Sequence, residues 1–226
     1  ELDDAGLLES TNVFFFSDHG VGLPRGKRSC YDTGTRVPLL VRLPGGRRAG
    51  QTDARVVQFV DFGPTVLSLC GVEPDERLDG VAFLGAHARA AHRFAFSHAD
   101  RFDAVYDRQR SVTDGRFRYV RNLLRDLPYL IPNAYRERLP MTADLYALRG
   151  REDLPAAMWQ MAATRRAPEE LYDTTADPWE VEDLAGRPEH AERLGAHTGE
   201  VENTFVYRTP RSARESKCGV STCCAP

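Results

Sequence analysis

An unbroken apolar run followed by a polar segment is the clearest pattern near the start of the chain. Residues Val13–Phe16 are all hydrophobic and do not alternate with polar residues, which is typical of a strand buried on both faces of a parallel sheet. Ser17, Asp18 and His19 follow directly, and Gly20 lets the backbone turn. Because ligands of open α/β sheets bind beyond the carboxyl ends of the strands, we expect a binding site at this polar segment.

Two further elements are predicted in the first half of the chain. Residues 39–41 (Leu-Leu-Val) form a second short apolar strand. Residues 61–70 read as a helix that Asp61 caps, with Pro64 in its first turn and Gly71 at its end.

The second half of the chain contains shorter strand patterns. A strand is predicted at residues 93–97, and a hairpin at residues 111–120 with Asp114 and Gly115 as its favoured two-residue turn. These strands together predict a smaller antiparallel sheet.

The polar segment and the loop after it carry the candidate chemistry. Asp18 places an oxygen donor beside the imidazole of His19, which makes the pair a candidate divalent-metal site. Residues 25–28 (Arg-Gly-Lys-Arg) follow as a basic loop, so an ion and Lys27 could together bind a tetrahedral anion and stabilise charge on its leaving oxygen. The alternative is structural: an Asx turn with a surface histidine, followed by a solvated lysine.

The composition is that of an ordinary globular chain. Of the 226 residues, 42% are hydrophobic and 28% are charged, and the net charge of −3 gives no global attraction to nucleic acid. No apolar run reaches the roughly 18 residues of a membrane span. The five cysteines include neither a CxxC pair nor a zinc-site spacing, and an odd number cannot all pair within one chain.

An ordered set of motifs resembles the central and C-terminal blocks of the sulfatases, which belong to the alkaline-phosphatase-like superfamily of metal-dependent hydrolases. The motifs lie at residues 17–20 (Ser-Asp-His-Gly), 26–27 (Gly-Lys), 31–38 (Tyr-Asp-x-Gly-x-Arg-x-Pro), 60–67, 78–80 (Leu-Asp-Gly) and 170–180, which ends in Asp-Pro-Trp-Glu. Within that family the chain resembles in particular bacterial sulfatases similar to heparan N-sulfatases.

The resemblance implies an α/β fold with part of a mostly parallel sheet flanked by helices, plus a smaller C-terminal antiparallel sheet. Residues 1–90 would be the C-terminal part of the catalytic domain, and residues 91–207 a smaller α+β subdomain. Residues 208–226 lose hydrophobic periodicity and are expected to form a disordered tail. The N-terminal half of the family fold would be missing.

The resemblance also implies roles for individual residues. Asp18 would bind the metal, usually calcium in sulfatases, although magnesium or manganese also suits a site in which His19 replaces the more usual asparagine. Lys27 would bind the sulfate group and stabilise the leaving group. Arg36 would be structural, pairing with a buried carboxylate.

A polar segment at residues 98–103 resembles a loop of the same bacterial branch. His98, Arg101 and Asp103 would contact a sulfated carbohydrate substrate at the rim of the site. The alternative is a hydrated loop with a hydrogen-bonded histidine. The resemblance further suggests an exported protein, periplasmic or extracellular.

One departure from the family pattern limits these expectations. Sulfatases use a formylglycine made within a Cys-x-Pro-x-Arg motif, and neither that motif nor the family's N-terminal aspartate pair precedes Asp18. We therefore expect a C-terminal portion of a sulfatase that is inactive alone, with the formylglycine in the missing part. Two alternatives stay open: a phosphodiesterase or phosphonate hydrolase of the same superfamily, and a non-catalytic module that binds anionic glycans or scaffolds a partner.

Overall fold

The computed structural model describes residues 1–102 and 104–206. The strands are β1 (Val13–Phe16), β2 (Leu39–Arg42), β3 (Ala95–Phe102), β4 (Val105–Thr113), β5 (Phe117–Asn122) and β6 (Glu169–Asp173). The α-helices are α1 (Asp32–Thr35), α2 (Phe62–Leu69), α3 (Met141–Ala147), α4 (Trp159–Ala162) and α5 (Ala191–Val201). Short 3-10 helices lie at Pro44–Gly46, Phe59–Asp61, Arg136–Arg138, Ala156–Met158 and Pro188–His190, and a π-helical turn at Glu202–Val206 continues α5.

The first sheet is a two-stranded antiparallel pair, in which Val13 of β1 lies opposite Arg42 of β2. Phe14 packs edge-on against Phe83, whereas Phe15, on the other face, is 63% exposed. The prediction of a β1 strand buried on both faces of a parallel sheet is therefore not confirmed. An unalternated apolar run indicates a strand, but it does not determine the direction in which that strand pairs.

Helix α2 packs against the first sheet and confirms the predicted helix. Its Phe62 lies 4.7 Å from Phe16 between ring centroids, and Gly71, with φ of +75°, follows its end. Asp61 is not its side-chain cap, however. The Asp61 carboxylate instead accepts hydrogen bonds from the Gln58 and Val81 amides, and therefore connects separate parts of the chain.

The second sheet has four antiparallel strands in the order β3-β4-β5-β6, which confirms the predicted smaller antiparallel sheet. Helix α5 covers one face, where its Val201 joins a core with Val112, Tyr119 and Leu171. Val120, the next residue along β5, points to the opposite face and packs with Tyr31 and Tyr172. The sheet is therefore buried on both faces, because the segment that contains Tyr31 covers the side away from α5.

Two local predictions in this sheet need correction. The β4–β5 connection has three residues rather than two, since β4 ends at Thr113 and β5 begins at Phe117. The Asp114 carboxylate accepts the Arg116 and Phe117 amides. The polar segment at residues 98–102 is part of β3 rather than a loop, with a register shift between Ala99 and Arg101.

Asp103 and the expected tail at residues 208–226 lie outside the described residues. The division of the chain near residue 90 stays a prediction. Within residues 1–102 and 104–206, none of the helices has the length and apolarity to cross a bilayer.

Candidate functional site

The candidate residues Asp18, His19 and Lys27 lie on the segment that joins β1 to β2, which we call the site loop (residues 17–36). The loop is folded back on itself, since the Gly20 amide donates to the Gly34 carbonyl at 3.0 Å. The backbones approach so closely here that a Cβ on Gly20 would lie 1.8 Å from the Thr33 carbonyl oxygen. Only glycine fits at that position.

Asp18 and His19 lie side by side at the end of β1. The His19 Nδ1 atom donates to the Gly20 carbonyl at 2.7 Å, so the neutral ring leaves Nε2 unprotonated. That Nε2 atom is 3.5 Å from an Asp18 carboxylate oxygen. The Asp18 side chain is 83% exposed and the His19 side chain 25% exposed, so both donors are accessible to an ion.

This donor pair fits part of a divalent-metal shell. Two ligands with bonds of about 2.4 Å and a right angle at the ion lie roughly 3.4 Å apart, close to the 3.5 Å between His19 Nε2 and Asp18 Oδ2. A histidine that ligates a metal commonly donates its other N–H to a carbonyl, as His19 does here. In the described part of the chain no cluster of three or more His, Cys, Asp or Glu residues completes the shell.

Lys27 is held in the site loop by contacts of its backbone and its side chain. Its amide donates to the Val21 carbonyl at 2.7 Å. Its ammonium lies 5.1 Å from the centroid of the Tyr135 ring, and the Arg28 guanidinium lies 4.7 Å from the same centroid. Such cation–π contacts restrict a flexible lysine without neutralising its charge.

A cavity of about 650 Å³ brings the candidate residues together. Asp18, His19, Lys27 and His98 all line it. The sequence therefore identified four residues that share one cavity, although their roles stay predictions.

His98 lies on β3 and faces the cavity beside Phe205, at 6.0 Å between ring centroids. Burial lowers the pKa of His98, the positive charge of Arg110 lowers it further, and Asp100 opposes both effects. The neutral imidazole can therefore act as a hydrogen-bond partner. Arg101 is not on the cavity wall; its guanidinium stacks 4.9 Å from the Tyr106 ring centroid.

Sequence reasoning missed a buried ionic cluster beneath the site loop. Arg118 on β5 donates to an Asp32 carboxylate oxygen at 2.9 Å, and its Nε atom makes an ion-pair contact with Glu180 at 3.2 Å. The Glu180 carboxylate in turn accepts the Asp32 amide at 2.9 and 3.1 Å. Arg36, predicted to pair with a buried carboxylate, is 71% exposed and lies 3.6 Å from Asp32. Arg36 and Arg118 therefore both pair with Asp32, but only Arg118 is itself buried.

The backbone around this cluster is unusual. Arg25, Arg28 and Glu180 all have positive φ angles, of 63°, 72° and 53°. Such left-handed conformations are unfavourable for residues with side chains and cluster at functional sites in proteins. The Arg25 guanidinium donates to the carbonyls of Trp179 and Glu180 at 2.7 and 3.0 Å, so two of these three residues contact each other.

Glu180 gives a pH-dependent expectation for stability. Burial raises the pKa of Glu180 from 4.5 to about 7, against the lowering effects of Arg118, the Asp32 amide and Arg25. Between these pH values the folded state binds more protons than the unfolded state, so Glu180 stabilises the fold at low pH and loses that contribution as pH rises. Urea unfolding of wild type and of E180Q measures this effect. Between about pH 5 and pH 7, we expect the free energy of unfolding of wild type to fall by about 2 kcal/mol more than that of the variant. A constant difference would show that Glu180 is already ionised at the lower pH.

Comparisons with known proteins find sulfatases among both the sequence relatives and the structural neighbours. Residues 1–72 match the Sulfatase family model. An ulvan-active sulfatase from Formosa agariphila is 41% identical over 194 residues, covering 86% of this chain and 33% of the relative. The human N-sulphoglucosamine sulphohydrolase is 30% identical over 216 residues, covering 86% of this chain and 41% of the relative.

The fold is shared with a protein solved in complex with its substrate, D-glucosamine-2-N,6-O-disulfate. The TM-score is 0.63 at 23% identity, and the match covers 90% of this chain and 35% of the other. The chain therefore spans only about 33–41% of the length of these proteins.

Proposed function

We propose that this chain is part of a sulfatase and takes part in hydrolysing sulfate esters or sulfamates of a carbohydrate. The names of two relatives, ulvan-active sulfatase and N-sulphoglucosamine sulphohydrolase, support a sulfated carbohydrate as the substrate. So does the glucosamine disulfate bound by the structural neighbour. We also propose that the protein is exported, with which a bacterial sulfatase relative is consistent.

The convergence of Asp18, His19 and Lys27 on one cavity is the observation that carries this proposal. Asp18 and the unprotonated Nε2 of His19 would bind a divalent cation such as calcium, with magnesium or manganese as alternatives. A bound cation would stabilise negative charge on the oxygens of the sulfate group. The Lys27 ammonium would bind a sulfate oxygen and stabilise charge as it develops on the leaving oxygen.

The attacking nucleophile is not assigned to this chain. The formylglycine that the family implies requires a Cys-x-Pro-x-Arg motif, which the 226 residues do not contain. Cys30 lies within the site loop, but burial raises its pKa to about 12, so it stays a thiol at neutral pH. We therefore propose that this chain supplies cation and sulfate binding to a larger catalytic unit.

Replacing Lys27 by alanine tests the proposed sulfate contact. In the enzyme that contains this chain, we expect K27A to lower sulfate release from D-glucosamine-2-N,6-O-disulfate at least tenfold, about 1.4 kcal/mol of transition-state stabilisation. Ion chromatography of released sulfate measures the rate. The charge-matched control is R77A, since Arg77 is 84% exposed and pairs with Asp75; its rate should equal that of wild type.

Ligand binding to the isolated chain separates the competing functions. Titration calorimetry with CaCl2 and then sodium sulfate should show cation binding that D18N abolishes and sulfate binding that K27A weakens. Tighter binding of methylphosphonate than of sulfate would favour a phosphonate hydrolase instead. Binding of a sulfated glycan that neither calcium nor D18N affects would favour a non-catalytic glycan-binding module.

A further inference from the structure

We propose that Glu180 is a positioning residue that fixes the cation-binding and sulfate-binding parts of the site loop to the C-terminal sheet. The ligands of the loop are those of the proposed function, on which this inference rests. The attachment of the loop is argued from the contacts of Glu180 itself. Glu180 is fully buried, and two separate routes lead from it to the site residues.

The first route runs from the Glu180 carboxylate to His19. Both carboxylate oxygens accept the Asp32 amide, at 3.1 and 2.9 Å, at the start of α1. Within α1 the Gly34 carbonyl accepts the Gly20 amide at 3.0 Å, and the Gly20 carbonyl accepts His19 Nδ1 at 2.7 Å. A displacement of α1 would therefore move the imidazole and with it the predicted cation site.

The second route runs from the Glu180 backbone to Lys27. The Glu180 carbonyl accepts Arg25 Nη2 at 3.0 Å, and Arg25 stacks 4.5 Å from the Tyr31 ring centroid. The Arg25 carbonyl accepts the hydroxyls of Thr33 and Ser29, at 2.6 and 2.5 Å. Arg25 lies two residues before Lys27, so these bonds define the position from which the ammonium extends.

Charge explains why a carboxylate is needed at residue 180. Arg118 is buried and contacts both Glu180 and Asp32, at 3.2 and 2.9 Å. An ionised Glu180 compensates this guanidinium and binds the Asp32 amide with charge-assisted hydrogen bonds, which are stronger than those of a neutral amide side chain. Glutamine has nearly the same size, but it compensates no charge and can present only one oxygen.

Glu180 can be replaced by glutamine and compared with a neighbouring surface control. The matched variant is E182Q, because the Glu182 side chain is 59% exposed and pairs with Arg187. Hydrogen–deuterium exchange, followed by mass spectrometry on the whole chain at about pH 8, reports the site loop directly. We expect E180Q to raise exchange at residues 17–36 about tenfold while β4 is unaffected, and E182Q to match wild type.

Calorimetric titration with CaCl2 and with sodium sulfate gives a second readout on the folded variants. We expect E180Q to weaken calcium affinity roughly tenfold, as is typical for loss of an outer contact that orients a ligating residue. Sulfate affinity should fall less, because the Glu180 carbonyl that accepts Arg25 is retained in the variant. A purely structural Glu180 would change the urea midpoint but leave both exchange in the loop and affinities of the folded protein unchanged. That result would overturn the proposal.

The two hypotheses fail in different ways. If wild type binds neither calcium nor sulfate while E180Q still raises loop exchange, the proposed function is wrong and the positioning role stands. If E180Q does not fold, Arg25→Gln decides the matter, because it removes only the second route and should raise exchange at residues 21–29. Unchanged exchange in that variant would contradict the proposal.

Discussion

Replacing Arg118 by methionine is expected to lower the free energy of unfolding by about 3–5 kcal/mol at about pH 8, above the raised pKa of Glu180. The side chain is 3% exposed and donates to Asp32, to the Cys30 carbonyl and to the Ser111 hydroxyl. Methionine fills similar space but leaves the Glu180 and Asp32 carboxylates without their main positive partner. Urea unfolding followed by circular dichroism measures the change, and the slope of the transition should stay constant.

Arg116, two residues before Arg118 on the same hairpin, is the matched control. Arg116 is 63% exposed and pairs with Asp173 at 2.6 Å, so R116M should cost about 1 kcal/mol or less. The cost of R118M should also shrink in an E180Q background, since one of the uncompensated carboxylates is then absent. Equal costs for R118M and R116M would refute a stabilising role for the buried cluster.

Much of the fold could be predicted from local sequence patterns. The apolar run at Val13–Phe16, the helix before Gly71 and the strands around Asp114 all have short-range causes, namely side-chain periodicity and turn chemistry. The direction of pairing between β1 and β2 could not be predicted, because the same apolar run suits either direction. The extension of β3 to Phe102 was also missed, since its polar side chains resemble those of a loop.

Some residues of the candidate site could likewise be predicted from the sequence, and others could not. Asp18, His19 and Lys27 lie within ten residues of one another, so local pattern and family resemblance sufficed to select them. Arg118 lies between Phe117 and Tyr119 on its strand. Since successive side chains of a strand point to opposite faces, an arginine between two apolar residues usually faces water. Its partner Asp32 is 86 residues away in the sequence. Only the packing of the site loop on the sheet brings the two together.

A second buried carboxylate connects the site loop to the same sheet. Glu170 on β6 is fully buried and accepts hydrogen bonds from four donors. The donors are Tyr31 at 2.8 Å, Tyr172 at 2.6 Å, Asn122 at 2.5 Å and Gln160 at 3.3 Å. Burial raises the pKa of Glu170, and the hydrogen bonds from Tyr172, Asn122 and Tyr31 oppose that rise. Since Tyr31 precedes Asp32, Glu170 and Glu180 fix consecutive residues of the loop.

Replacing Glu170 by leucine should therefore lower the free energy of unfolding by about 3–5 kcal/mol, because several buried donors lose their shared acceptor and each unsatisfied group costs roughly 1–3 kcal/mol. E170Q is the isosteric control and retains one acceptor oxygen, so we expect a loss of about 1–2 kcal/mol. Urea unfolding of both variants measures the difference, and faster amide exchange at residue 31 in E170L would link the loss to the site loop. If E170L is as stable as E170Q, the four hydrogen bonds do not contribute to the fold as their geometry indicates, and the loop is fixed by its apolar contacts with Val120 and Tyr172 instead.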